Sequence, residues 1–219
     1  NFVSDANGNK DGGVNDAQYA GIKSANFASN RRNYFHYNLN IHRYQTSSGS
    51  SGQAELPGND LITSLQCFTS TVNVANTIMH EVGHNVDLRH GGFENLPNFK
   101  PNYNSVMNYR WQFPGVDTNC DLTGDNELDY STGGRATLDE FNLSETLGIC
   151  NGVDIDWNGN GSIEGGTVAV DVTQDGIGST LVDNNDWADV RLGFVTEADG
   201  APVVEPQLVT EQPVPTSAR

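Results

Sequence analysis

The chain has 219 residues, enough for one large domain or a domain with a small appendage, and its 36% hydrophobic and 18% charged residues are globular proportions. Lys+Arg number 11 against 28 Asp+Glu, a net charge of -17 that repels phosphate backbones and anionic lipids, so neither nucleic acid nor membrane is expected as a partner. No apolar run approaches the roughly 18 residues of a membrane span and no basic, apolar leader opens the chain, so Asn1 reads as a processed or trimmed end.

The opening stretch is loop-like, and Asp5, Asn7, Asn9, Asp11 and Asp16 fall at the oxygen-bearing positions of an EF-hand-like calcium loop, although Lys10 stands where glycine is usual. From Asp16, the spacing of Ile22, Ala25 and Phe27 suits a modest amphipathic helix. Phe35, Tyr37, Leu39 and Ile41 then alternate with polar residues at period 2, which predicts a strand buried on one face. The run SSGSSG reads as flexible loop, and strand composition returns at Asp60. From Ser70 the period changes: Val72, Ala75, Ile78 or Met79, Val82 and Val86 predict a buried helix of about four turns, with Ser70 or Thr71 as its N-cap. Beyond residue 90 the chain is mostly Gly, Pro and Asn loop, with one further helix expected between Thr137 and Gly148. Residues 1–197 are expected to form the main domain, divided near residue 90, and the Pro-rich residues 198–219 a tail or linker.

Within the predicted helix, HEVGHNVDLRH places His80 and His84 at i and i+4, one above the other on the same face, so two imidazoles can share one ion. Glu81 lies beside them, able to reach a metal-bound water without ligating the metal. His90 carries a geometric condition. Six more residues of helix at about 1.5 Å each would take it roughly 9 Å past His84, so to serve as third ligand the helix must stop between Asn85 and Leu88. Asp87 is the expected turn. Three imidazoles and a water make the open tetrahedral site of a catalytic zinc.

His80, Glu81, His84 and His90, followed by SVMNY at residues 105 to 109, resemble the metzincin clan of zinc endopeptidases, whose pattern is HExxHxxGxxH plus a Met-turn. The resemblance implies an α+β fold: a twisted mixed sheet, an active-site helix and a loop-rich C-terminal subdomain. It places Met107 beneath the zinc and, as in astacins and serralysins, makes Tyr109 a displaceable fifth ligand. It also suggests Asp60, Leu61, Ile62, Thr63 and Ser64 as a substrate-binding edge strand, an ordinary buried strand being the equal alternative, and makes Arg110 and Trp111 part of a substrate pocket. The clan's glycine is Asp87 here; Asp is among the least penalised residues in a left-handed turn.

Such an enzyme would be a secreted monomer acting on polypeptide, with zinc-bound water as nucleophile and Glu81 as general base and acid. Structural calcium is also expected, in the N-terminal loop, around Asp154, Asp156, Asn158 and Asn160, or around Asp121 and Asp125. Turns closed by their own side chains give the same composition without an ion. Cys67, Cys120 and Cys150 permit one disulfide, Cys120 with Cys150 being preferred. Two rival functions remain at this point: a noncatalytic extracellular calcium-binding or adhesion module, against which Glu81 counts, and a zinc amidase acting on a nonpeptide bond.

Overall fold

The computed structural model describes residues 16–31, 34–44, 49–64, 70–94, 96–191 and 207–210. Asp5, Asn7, Asn9, Asp11 and Cys67 lie outside the described residues, so the N-terminal calcium loop falls there too. The chain divides into two compact units, Asn1–Asp87 with Val190–Arg219, and Leu88–Asp189.

The first unit is a small α+β layer. Helix α1 (Asp16–Asn26) precedes strands β1 (Tyr37–Ile41), β2 (Gly52–Leu56) and β3 (Asp60–Ser64), then helix α2 (Thr71–Asn85), which packs on β2 and β3. The sheet is mixed: β1 runs parallel to β3, and β2 antiparallel to β3. Tyr19, Tyr44 and Ile62 form an apolar cluster with Ile22, Tyr37, Leu39 and Ile41, so three of the four alternating residues pack together, whereas Phe35 lies before β1 and is exposed. Strand β2 was not legible as a strand: Ser51 and Gly52 belong to the run read as flexible loop, yet both are buried. The backbone of Gln207–Thr210 (β8 in chain order) pairs antiparallel with β2, in a segment read as a Pro-rich tail.

The order β1-β3-β2-β8 also corrects the edge-strand expectation. Asp60 to Ser64 are paired with β1 along their whole length, and Leu61 to Thr63 with β2 as well. A strand bonded on both sides has no free row of N–H and C=O groups to offer a peptide.

The second unit is loop-rich, with helix α3 (Tyr109–Gln112), the hairpin-like pairs β4 (Leu138–Asp139) with β7 (Thr180–Leu181) and β5 (Leu143–Ser144) with β6 (Thr167–Val168), and helix α4 (Asp186–Asp189). The helix expected between Thr137 and Gly148 is absent. Asp139 closes a turn there by accepting from Phe141 N and Asn142 Nδ2, a local bond that competes with helix formation. Glu140 and Glu145 are buried on either side of that turn and accept backbone N–H groups from Val172, Thr173 and Ser179, and from Trp157 and Glu164. A continuous helix would break this arrangement.

Leu138, Leu143, Ile149, Ile155, Trp157 and Leu181 make the unit's apolar core, and Cys120 joins it, disulfide-bonded to Cys150 across a sequence separation of 30 with Cα atoms 6.1 Å apart. Such a bond belongs to an oxidising compartment. Among the described residues, no helix is long and apolar enough to cross a membrane.

Closing a loop of that length removes chain entropy worth about 3–4 kcal/mol from the unfolded state. Cys150→Ser should lower the unfolding free energy by roughly that amount in denaturant titrations. A second expectation concerns Lys100, which is 3% exposed and whose amine burial pulls down from 10.5 to about 8, against the opposing pull of Asp183, Asp186 and Glu94. Below pH 8 the folded state must hold a buried charge that the unfolded chain hydrates freely. Between about 8 and 10.5 the folded protein binds fewer protons than the unfolded one, so this cost fades and the contribution of Lys100 to stability rises. Paired unfolding curves of wild type and Lys100→Met across that window should diverge in favour of wild type as pH increases.

Candidate metal centre

Helix α2 begins at Ser70, whose Oγ accepts from Asn73 N at 3.4 Å, as a capping serine does. Its apolar residues do not form its most buried face. Val72, Ile78, Met79 and Val82 are half-buried, whereas Asn76, Thr77, His80, Glu81, Gly83, His84 and Asn85 are buried. Burying a stripe of polar groups is unfavourable unless partners satisfy them, so apolar packing alone does not account for this stripe.

The helix ends at Asn85, with Val86 as C-cap and Asp87 N bonded back to His84 O at 2.9 Å. Asp87 adopts φ 77°, in the left-handed region where an L residue other than Gly, Asn or Asp is strongly disfavoured. The chain therefore leaves the helix axis at the point that the position of His90 demands. Arg191 holds the turn, its N donating to Val86 O and its Nε lying 3.4 Å from Asp87 Oδ2.

His80, His84 and His90 each direct one ring nitrogen to a common point, all three atoms within 4.8 Å of one another. His80 and His84 are 0% exposed and His90 8%. The Nε2 atoms of His80 and His84 stand 3.1 Å apart with ring planes at 84°. Two nitrogens bound to one tetrahedral zinc at about 2.0–2.1 Å are separated by about 3.4 Å, so the donor set fits such an ion with only a slight opening. Among the described residues this is the one group of three or more His, Cys, Asp or Glu side chains so arranged.

Sequence reasoning did not find two residues that hold the centre in place. Asn85 Nδ2 donates to Glu55 O at 2.9 Å and to Asp60 O at 3.0 Å, and its Oδ1 accepts from His36 Nδ1 at 2.9 Å, tying the end of α2 to β2 and β3. Gly52, on β2, lies against Glu81: a Cβ there would overlap Oε1, approach Cδ to 2.6 Å and meet Ile62 O at 2.8 Å. The glycine gives the buried carboxylate its room. An asparagine beside the motif histidines and a glycine in a Ser/Gly run carry no spacing signal, and only the fold shows what they hold.

Met107 is 0% exposed and sits in a tight turn closed by Asn108 N to Ser105 O at 3.0 Å. Tyr109 opens α3, and its ring centroid is 4.3 Å from that of His90. Arg110 is half-buried, while Trp111 is 1% exposed.

The candidate calcium residues use their oxygens locally. Asp156 accepts from Gly159, Asn160 and Gly161 N, Asn158 from Asn160 N, and Asn160 from Ser162 N. Asp121 accepts from Thr123 N, Asp125 from Thr118 N, and Asp154 is exposed. Asp16 is the first residue of α1. The bonds of Asp156, Asn158, Asn160, Asp121 and Asp125 close turns with their own side chains.

Comparison with known proteins adds no family: no protein-family model, no curated protein and no solved structure matches the chain. The reading of the centre therefore rests on its own geometry.

The overlap at Gly52 gives a direct test. Gly52→Ala should cost about 1–3 kcal/mol of stability, as overpacking against backbone does, and should displace the Glu81 carboxylate. Chemical denaturation measures the first effect and a crystal structure of the variant the second.

Proposed function

We propose that the chain is a zinc-dependent endopeptidase of metzincin type, secreted and monomeric, acting on polypeptides. The observation that carries this reading is the convergence of three buried imidazoles, two from one helical face and one from beyond a left-handed turn. Glu81 on the same helix supports it, because a site that only stored a metal has no use for a buried carboxylate next to its ligands.

When bound, a zinc ion would supply Lewis acidity, polarising a carbonyl and lowering the pKa of water toward neutrality. The chain does the rest. His80 and His84, fixed in rotamer by burial on α2, present Nε2 to the ion, and His90 completes the set. Glu81 accepts a proton from the attacking water at a carboxylate oxygen and returns it to the leaving amine, the two halves of general base and acid catalysis. The Tyr109 hydroxyl, on a ring beside His90, donates to the oxyanion that develops on the scissile carbonyl. Burial of the carboxylate and imidazoles keeps bulk water away and strengthens each of these interactions.

Incubation with casein should yield internal cleavage products, mapped by mass spectrometry, and a zinc chelator should abolish them. Glu81→Gln should reduce cleavage by about 10²–10⁴-fold while keeping the bound zinc. His90→Ala should lose both. Cleavage that persists in Glu81→Gln and in chelator would overturn the proposal, and products arising only from nonpeptide amides would shift the activity to an amidase.

A further inference from the structure

The carbonyls of the residues before and after His90 are held by two buried side chains of the second unit. Lys100 Nζ donates to Gly91 O at 2.6 Å and to Val182 O at 2.7 Å. Tyr103, 0% exposed, places its hydroxyl 3.3 Å from Arg89 O and 2.9 and 3.0 Å from the two carboxylate oxygens of Asp186. Arg89 and Gly91 are the immediate neighbours of His90 in the chain.

Neither side chain is the choice that packing alone would make. Lysine is almost never fully buried, because desolvating its ammonium is expensive; an apolar residue of similar volume would be the more stable filling. What lysine supplies is a donor that reaches two chain segments at once, at residues 91 and 182. Tyr103 has one proton and three acceptors within reach. Asp186 is anchored by Ser131 N at 3.1 Å and Asn184 Nδ2 at 2.8 Å, so it fixes the position of the Tyr103 hydroxyl beside Arg89 O. The short loop between these points is itself tight: Gly91 N donates to Glu94 O at 2.8 Å and Gly92 N to Arg89 O at 3.2 Å.

We infer that Lys100 and Tyr103 are positioning residues for the third metal ligand, gripping the carbonyls before and after His90 so that its imidazole stands in place before any ion arrives. The inference rests on the metal-site reading above and adds the elements that make His90 a rigid ligand. His80 and His84 get their rigidity from a helix; His90, in a loop, gets it from this pair. Groups outside the ligand set that orient a ligand in this way typically contribute 10–100-fold to metal affinity.

The test is zinc affinity by chelator competition, with the cobalt(II) absorption spectrum as a report on coordination geometry, well below the melting temperature. Lys100→Met keeps the stem and removes the donor; Tyr103→Phe removes one oxygen and serves if the first variant does not fold. Glu140→Gln disturbs a different buried carboxylate of the same unit and controls for general loosening. The expected result is a 10–100-fold loss of affinity and an altered cobalt spectrum in Lys100→Met and Tyr103→Phe, with Glu140→Gln close to wild type. Hydrogen exchange of the peptide spanning residues 88–94 should rise in the first two variants alone, without metal. Folded variants with wild-type affinity, spectrum and exchange would overturn the inference, as would an equal loss in Glu140→Gln. Wild-type protein that takes up no zinc would overturn the metal reading and this inference together. Wild-type protein that binds zinc, loses affinity on these substitutions and cuts no peptide would support the inference and count only against the peptidase.

Discussion

A helix that buries two imidazoles, a carboxylate and three further polar side chains on one face has a problem that apolar packing cannot solve. Each group must find a partner or be held so firmly that an unpaired state is tolerated. Much of the first unit can be understood as an answer to that constraint. Asn85 spends its amide on the backbone of β2 and β3, which fixes the end of α2 where the chain must turn. Gly52 leaves a space in β2 shaped to the Glu81 carboxylate. Asp87 accepts a strained backbone conformation so that the next segment can bring a third nitrogen to the other two.

Several of these features were legible before the fold was known, and for identifiable reasons. The helix followed from period and composition, with Ser70 one of two candidate caps, and the end of the helix followed from His90 alone, since rise per residue forbids a continuous helix from placing all three histidines together. The α+β class and the Cys120–Cys150 pairing also agree with the structure. What failed did so where local sequence and tertiary need diverge. Strand β2 opens on Gly52 because a side chain there would collide with Glu81 of α2, and that requirement has no local signature. Asp60 to Ser64 read well as a strand, but position within a sheet depends on partners elsewhere in the chain. Residues 137–148 have helical composition and still form a turn between short strands, because Glu140 and Glu145 are needed inside as acceptors.

The apolar residues of α2 carry the most general lesson. Their spacing identified the helix correctly and its most buried face wrongly: Val72, Ile78, Met79 and Val82 are the half-covered side, and the motif is the covered one. Hydrophobic period reports that a segment is helical. When a buried histidine pair lies on the same helix, it does not report which way that helix turns.

The second unit replaces most of its missing ladders with carboxylates. Asp117 accepts from Cys120 and Leu122 N, Asp156 from three successive amides, and Asp171 from Asp175 and Gly176 N, while Glu140 and Glu145 do the same from inside. A backbone held by ionised oxygens differs from one held by peptide carbonyls in having an acid limit. The hydrogen bonds from Gly176 hold the Asp171 carboxyl below its ordinary range, and those from Thr118 do so for Asp125. Their contribution is complete above the unfolded carboxylate range near 4 and disappears as pH falls through the lower folded values. The loops closed by Asp171 and Asp125 therefore carry an acid limit that a ladder of peptide carbonyls does not have.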